Sequence, residues 1–482
     1  MSIVDENGTM LNQAKRIAKD LVQTYNKGDD VYLILTSEAK SKQLTSEKVI
    51  EEIDISEVAL PLSKSLRVAK ELLANSKNFN KEIYVLSDFQ NSMYLEVDSS
   101  NTIIIPDSRI YTVQFQHNAE NNLSLTNLEI ENQIFEVGKV VKISSETTNY
   151  TNSNSGNTLN SLFQNDKRVA QKSISVGGKE THREIFNANI DKPGFVEITS
   201  KLEDDAILHD NKYYNYFITP ENIKILFCGN SEKDFFYISS ALKTNSEKSI
   251  NYSFMNSDKI NEIDLGNFDV VVLIGNVDEG FSEKAKEHIS NGGGLIVFPT
   301  SNEFLLQLGL PKYLQLFTSK DNTSINSFEN TDFTHPIFEG LFSEKTVEIE
   351  SPSFYKYYKL QNTSTGRVII SLQDKSAFLS EHRIGDGKIL LFNVAPNLEW
   401  SDFPLKNVFA PLLNRSISYL VSNIENDKKY VAGDVLTADV SKRKSNQITI
   451  LRPDQSSVII NVTNSEVSFL NYENSNLIGI YK

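Results

Sequence analysis

Three textures of apolar and polar spacing alternate along the chain. Residues 10–25 place Leu11, Ala14, Ile17, Ala18, Leu21 and Val22 at intervals of three and four, which predicts an amphipathic helix. Residues 30–36 (DVYLILT) are an apolar run that predicts a buried strand. Helical spacing returns at 46–53 and 60–73, and residues 81–87 (KEIYVLS) predict another strand, ended by Asp88. Two further strand-like pieces lie at 102–105 and 109–115. Strands alternating with helices imply a parallel sheet with helices on its faces.

From about residue 118 the helical pattern disappears. Short strands are predicted at 123–130, 140–146, 161–164, 169–176, 181–187, 194–199 and 211–218, separated by turns such as NSNSGN, VGGK and DKPG. About seven strands over about 100 residues is the pattern of an immunoglobulin-like sandwich. The asparagine-rich turns are ordinary loop chemistry.

The alternation resumes at Asn222. Residues 224–228 (KILFC) predict a strand and 234–242 a helix. Residues 267–301 then read strand, loop, helix, glycine turn, strand: the apolar run 269–274, Ser282 as N-cap with Glu283 in the first turn, the stop at Gly292, Gly293 and Gly294, and the apolar strand 295–298. That is a βαβ unit, the crossover that parallel strands require. A short helix at 302–308 follows, then strands at 346–349, 368–372, 377–381 and 388–393. Residues 407–421 predict a long helix with Phe409, Leu412, Leu413, Ile417 and Leu420 on one face. From residue 430 the pattern is β again, at 435–440, 447–451 and 457–462. The domains expected are therefore 1–117 (α/β), 118–220 (β-sandwich), 221–425 (α/β) and 426–482 (a partial β module).

With 482 residues the chain is long enough for roughly three or four domains. Its formal net charge of -15, with no basic cluster, argues against nucleic acid as a partner. One cysteine, Cys228, rules out an intramolecular disulfide and a cysteine-cluster metal site. No apolar run approaches the roughly 18 residues of a membrane span. Helical spacing begins within about ten residues of Met1, and LIGIYK at the other end is strand-like, so truncation at both ends is expected.

Reactive groups in an open α/β sheet gather at the carboxyl ends of the strands. There the chain carries Pro299, Thr300 and Ser301, with no cysteine and no glycine-flanked nucleophile elbow. Ser301 with His382 as base is the hydrolase or amidotransferase reading; a hydroxyl that caps the next helix is the structural one, and it is preferred. Cys228 reads as a buried strand thiol, and His335, before Pro336, as a turn residue. Glycines 292–294 precede a strand instead of opening a helix, so they do not form a phosphate loop. Asp88 is the one metal-ligand candidate, and alone it cannot hold Mg²⁺ usefully. The loop Trp400-Ser401-Asp402-Phe403-Pro404-Leu405 lies near the same sheet end as Ser301. Its tryptophan is expected to pack on the final helix, and Ser301, Trp400 and Asp402 together form a candidate contact surface for a partner protein.

Three stretches carry a resemblance. Leu86-Ser87-Asp88 follows a strand, Leu208-His209-Asp210-Asn211 precedes aromatic residues, and GDGKILLFNVAPNLEWSDFPLKNVFAPLLNRSISYL runs from Gly385 to Leu420. With the domain order they resemble large bacterial membrane-anchored proteins related to the aerotolerance proteins BatA. These carry a von Willebrand factor A domain, a β-sandwich and a glutamine-amidotransferase-like domain. The resemblance implies an incomplete Rossmann-like von Willebrand A domain, an immunoglobulin-like sandwich, a flavodoxin-like class I amidotransferase-like domain without its nucleophilic cysteine, and a C-terminal β module. It also implies a non-enzymatic scaffold of the cell envelope, anchored by membrane helices that this chain lacks. Its expected partners are other von Willebrand A proteins or a MoxR-type ATPase. A metal-ion-dependent adhesion site would belong to the full-length parent, with Mg²⁺ as the implied ion and no cofactor expected of this chain. Asp88 matches its third-loop position, and Thr36 or Thr45 stands only loosely for its second-loop threonine.

Overall fold

A computed structural model of the chain describes residues 1–5, 8–26, 28–94, 103–115, 122–205, 207–243, 249–319, 326–341, 350–361, 366–422, 429–440, 445–462 and 468–482. The expected strand at 346–349 and Thr102 lie outside these residues.

The architecture is mixed α/β with several separate β-sheets. An eight-stranded sheet dominates it. Its strands lie in the spatial order Ser249–Asn256, Asn222–Gly229, Val270–Ile274, Gly294–Val297, Gly387–Phe392, Ala377–Ile384, Arg367–Leu372 and Phe328–Thr331. The first five are parallel and the last three antiparallel. The parallel part follows the 2-1-3-4-5 order of doubly wound sheets.

Side-chain alternation along these strands builds two cores. Ile225, Phe227, Val270, Val272, Ile296 and Phe298 face a core closed by the helices Phe236–Lys243 and Phe409–Val421. Leu226, Cys228, Val271, Leu273, Leu295 and Val297 face the other, closed by Glu279–Ser290 and Asn302–Gln307. An apolar run without polar interruption is what a strand covered on both faces needs. Between helix and strand, Gly292 adopts φ +85°, and a Cβ on Gly294 would lie 2.6 Å from Cβ of Leu420, so the glycines serve a turn and a close approach.

The crossover helix starts earlier than the sequence predicts. Asp278, not Ser282, is its N-cap residue, and Ser282 is buried within the helix. The extra turn brings Phe281 into the core, stacked on Phe304 with ring centroids 5.8 Å apart. Burial of an aromatic side chain outweighs the weaker preference for serine at a cap.

The seven strands between Leu123 and Thr219 form two antiparallel sheets, one of three strands and one of four. Leu128, Val141, Ile143, Phe186 and Ala188 from one sheet pack on Leu162, Val196, Ile198 and Phe217 from the other. The loop between the first two strands leaves this sandwich and enters the α/β unit, where Ile134 joins the core under the Phe409–Val421 helix.

The amino-terminal region departs from expectation. Residues 30–36 contribute only Tyr32–Leu35, and Tyr32 is 42% exposed. This strand pairs antiparallel with Lys40–Gln43, while Glu82–Ser87 pairs in parallel with Arg109–Gln114 in a separate sheet. Each pair leaves apolar strand residues only half covered, because few side chains pack over them: the small cluster here is Met10, Ala14 and Phe115 with half-buried neighbours. Residues 103–105 are not in a strand. Near the other end, Leu436–Asp439 pairs with Phe469–Tyr472 and Gln447–Leu451 with Ser457–Asn461. No helix among the described residues is long and apolar enough to cross a membrane.

Candidate functional site

The carboxyl ends of the parallel strands hold most of the candidate groups, and Ser301, Trp400 and Asp402 there are engaged locally. Ser301 is extended and its hydroxyl accepts the Phe304 amide at 3.2 Å, capping the helix Asn302–Gln307. Asn302 brackets Tyr313, donating to its carbonyl and accepting its amide. Tyr313 stacks on Tyr358 at 4.1 Å, and Tyr358 lies 5.6 Å from Trp400. The structure therefore brings Ser301 and Trp400 to one end of the sheet through this ring chain. The ring neighbour of Trp400 is Tyr358 on the strand Lys356–Leu360, and its carbonyl accepts the Tyr355 and Lys356 amides. Trp400 is half-buried against the core that contains Phe409, Leu412 and Leu413 of the final helix, and the β-pairing of its loop also sets it beside Tyr358.

Asp402 is a structural latch. Its Oδ1 accepts the Ser353 amide at 2.6 Å, and its Oδ2 lies 3.5 Å from Lys406 Nζ. The surface around these groups carries Leu306, Leu314, Leu316 and Leu398, all exposed, with Leu314 at 61%.

His382 is not near Ser301. It pairs across the sheet with Ile389, in the strand whose Ile389 pairs with Leu295. Two strand spacings and the rise from 295 to 301 separate the two residues by at least about 15 Å. His382 is buried, with Nε2 3.1 Å from the Ser380 hydroxyl. A nucleophile and its base need hydrogen-bond reach, so Ser301 and His382 do not form a catalytic pair.

A buried ionisable network that sequence reading misses lies on the opposite face. Glu381 accepts from His335 Nε2 at 3.1 Å, from the Tyr419 hydroxyl at 2.7 Å and from Arg383 Nε at 3.1 Å. His335 Nδ1 accepts the Ile337 amide, which leaves Nε2 as the proton-bearing nitrogen toward Glu381. Burial by itself raises the Glu381 carboxyl, but the bonds from His335 and Tyr419 and the Arg383 charge outweigh it and hold it at about 2. Lys388 donates to the Tyr419 and Ser422 carbonyls at the carboxyl end of the helix, where a cation is favoured. Its ammonium lies 4.3 Å over the Tyr419 ring, and burial pushes its pKa down to about 8. Nothing in the spacing of His335, Glu381 and Tyr419 announces this network; three elements meet only in the fold.

Cys228 is fully buried in its strand, and burial pushes its thiol up to about 12. Thiolate is the reactive form, so native protein at pH 8 is expected to show no reaction with a chromogenic disulfide reagent and one equivalent after denaturation. Reaction of the native protein at the rate of a free thiol would contradict the buried placement.

Asp88 ends the strand Glu82–Ser87. Its Oδ2 receives the terminal ammonium of Met1 at 2.6 Å and the Gln90 side chain at 3.0 Å. Thr36 lies in the turn after Tyr32–Leu35, and Thr45 follows the second strand of that hairpin. Both are exposed, and they stand at opposite ends of the hairpin. Among the described residues no group of three His, Cys, Asp or Glu is placed to hold a metal ion. A Mg²⁺ adhesion site needs oxygen ligands from several loops, and among the described residues Asp88 is bonded to Met1 and Gln90.

No protein-family model and no curated protein sequence matches the chain. Among solved structures it is similar to Cytoplasmic Protein STM1381 from Salmonella typhimurium LT2, at 16% identity and a TM-score of 0.34, covering 41% of this chain and 99% of that one. Cytoplasmic Protein STM3548 from Salmonella typhimurium is 15% identical, with the same coverages and a TM-score of 0.31. The CARDB domain of the PF1109 protein from Pyrococcus furiosus is 14% identical over 22% of this chain and 93% of that one, with a TM-score of 0.19.

Proposed function

We propose that the chain is a non-enzymatic protein-interaction scaffold of the BatA-type von Willebrand A kind. In this reading its larger α/β unit is an amidotransferase-like domain that lacks the nucleophile. The observation that carries the reading is that Ser301, His382 and His335 are each held in a structural hydrogen bond, while Cys228 is buried. Ser301 caps a helix, His382 meets Ser380, His335 meets Glu381, and Cys228 is sealed in a core. The 2-1-3-4-5 strand order supports an amidotransferase-like frame, and the exposed leucines beside Trp400 supply a surface for a partner. The partner class is a MoxR-type ATPase or another von Willebrand A protein. The setting is the cell envelope, reached through membrane helices of a longer parent.

Sedimentation velocity with the purified MoxR-type ATPase of the same organism tests it. A complex with a dissociation constant of about 10 μM or tighter, weakened at least tenfold by Leu314→Asp with Leu316→Asp, is expected; polar rim contacts alone would not give that loss. No complex at about 100 μM would refute the partner. Glutaminase or esterase turnover abolished by Ser301→Ala would refute the non-enzymatic reading.

A further inference from the structure

One end of the β-sandwich holds a cluster of oxygen atoms with no partners. Three strands meet there: Leu123–Ile130 begins, Gly194–Leu202 ends and Lys212–Thr219 begins, so the junction joins both sheets. Asp205 is bound tightly, accepting the Leu123 amide at 2.8 Å and the Ile207 amide at 3.0 Å. It also accepts the side-chain amide of Asn211 at 3.0 Å. That bond orients Asn211, which is 1% exposed, and leaves its Oδ1 buried with no partner. Oδ1 of Asp210 and Oδ1 of Asn122 are likewise buried and unpartnered. The Ser124 and Asn122 side chains and the Asp210 amide lie close enough to the Asp210 carboxyl to lower its pKa, and Asp205 close enough to raise it, which places both asparagines and both aspartates in one locus. Among the described residues neither carboxylate has a basic side chain within ion-pair distance.

Buried acceptors without donors are rare in folded proteins, and each calls for an explanation. A donor is missing here, and the atoms that lack it are all oxygens: one carboxylate and two amide carbonyls. A hard cation satisfies several such acceptors at once, where a side-chain donor would satisfy one. We propose that this junction is a calcium site, with Asp210 as the anionic ligand, the Asn211 and Asn122 carbonyl oxygens as neutral ligands, and Asp205 positioning Asn211. Ca²⁺ accepts mixed carboxylate, carbonyl and water ligands in irregular geometry, whereas Mg²⁺ requires a near-ideal octahedron and gives up its water reluctantly. Burial and the neighbouring Asp205 charge push the Asp210 carboxyl up to about 6, the direction expected of a carboxylate that lacks its counter-charge. Bound there, the ion would tie the first strand of one sheet to the last two of the other.

The test uses the full chain stripped with EGTA and titrated with CaCl₂, MgCl₂ serving as the ionic-strength control. Calorimetry is expected to show one Ca²⁺ site with a dissociation constant between about 10 μM and 1 mM. The sandwich melting transition should rise with Ca²⁺ and not with Mg²⁺. Asp210→Asn should weaken the binding at least tenfold. In EGTA this variant should melt no lower than the parent, because it removes repulsion from Asp205; that result also shows that it folds. The proposal is overturned if Ca²⁺ at about 5 mM gives neither heat nor a melting shift, as when water alone fills the junction. It is also overturned if Mg²⁺ acts equally, or if Asp210→Asn binds as the parent does.

Discussion

Arg415→Ala is expected to destabilise the union of sandwich and α/β unit by about 3–5 kcal/mol, the range found when one partner of a buried ion pair is removed. Arg415 Nη1 lies 3.2 Å from Glu136 Oε2, and its Nη2 donates to the Glu339 carbonyl at 2.5 Å. Both side chains of the pair are nearly sealed from solvent. Glu339 in turn accepts from Asn132, in the same sandwich loop, and Ile134 between them sits in the α/β core. Truncation takes the Arg415 charge away from the buried Glu136 carboxylate, which is why the cost exceeds that of a surface pair. Hydrogen exchange of the Phe409–Val421 helix, followed under native conditions, measures the loss locally and avoids assuming two-state unfolding of a long chain. Glu136→Gln combined with Arg415→Met is expected to recover most of it, since an uncharged pair leaves no orphaned charge. A single variant as stable as the parent would show that the loop is held by Ile134 alone.

Acid is expected to loosen the α/β unit through Glu381. Its carboxyl titrates near 2 in the fold against an ordinary value of 4.5, so as pH falls the unfolded chain takes up the proton first. The stabilisation is complete above about pH 4.5 and is lost as pH drops toward 2. On the order of 3 kcal/mol is at stake, from roughly 2.5 pKa units of displacement in a nearly buried group. Urea titrations of the parent and of Glu381→Gln between pH 5 and 2.5 read the difference. The variant should be less stable at pH 5, because Gln cannot balance Arg383, and the gap should narrow as pH falls. A gap independent of pH would mean that the network stabilises by packing and neutral hydrogen bonds, and that its charge contributes nothing.

Much of the fold is legible in the residues because periodicity reports burial. The run VVVLI at 270–274 is apolar at every position, and both faces of that strand are covered. The seven sandwich strands alternate as a half-buried sheet should, and they occur where the spacing places them. Strands that escaped are at the margins. Ser249–Asn256 is an edge strand with mixed polarity, and Tyr313–Thr318 exposes most of its length, so neither gives a burial signal. Residues 30–36 mislead in the opposite direction: their composition is that of a central strand, yet Tyr32–Leu35 is paired on one side only and half covered.

What the sequence determined by itself is the local and one-dimensional part. It sets which segments are strands or helices, that 292–294 must turn, that Ser301 suits a cap, and that no cysteine stands among Pro299, Thr300 and Ser301. The tertiary structure decided what stands opposite what. It placed Trp400 against Tyr358, drove Ile134 into a neighbouring core, and assembled His335, Glu381 and Tyr419. It also separated His382 from Ser301 by strand register, and gathered Asn122, Asp205, Asp210 and Asn211 at one junction. The physical reason is that a side chain's period along the chain fixes the direction in which it points, while its partner depends on strand order and register. Those are settled only when the whole sheet closes over its cores.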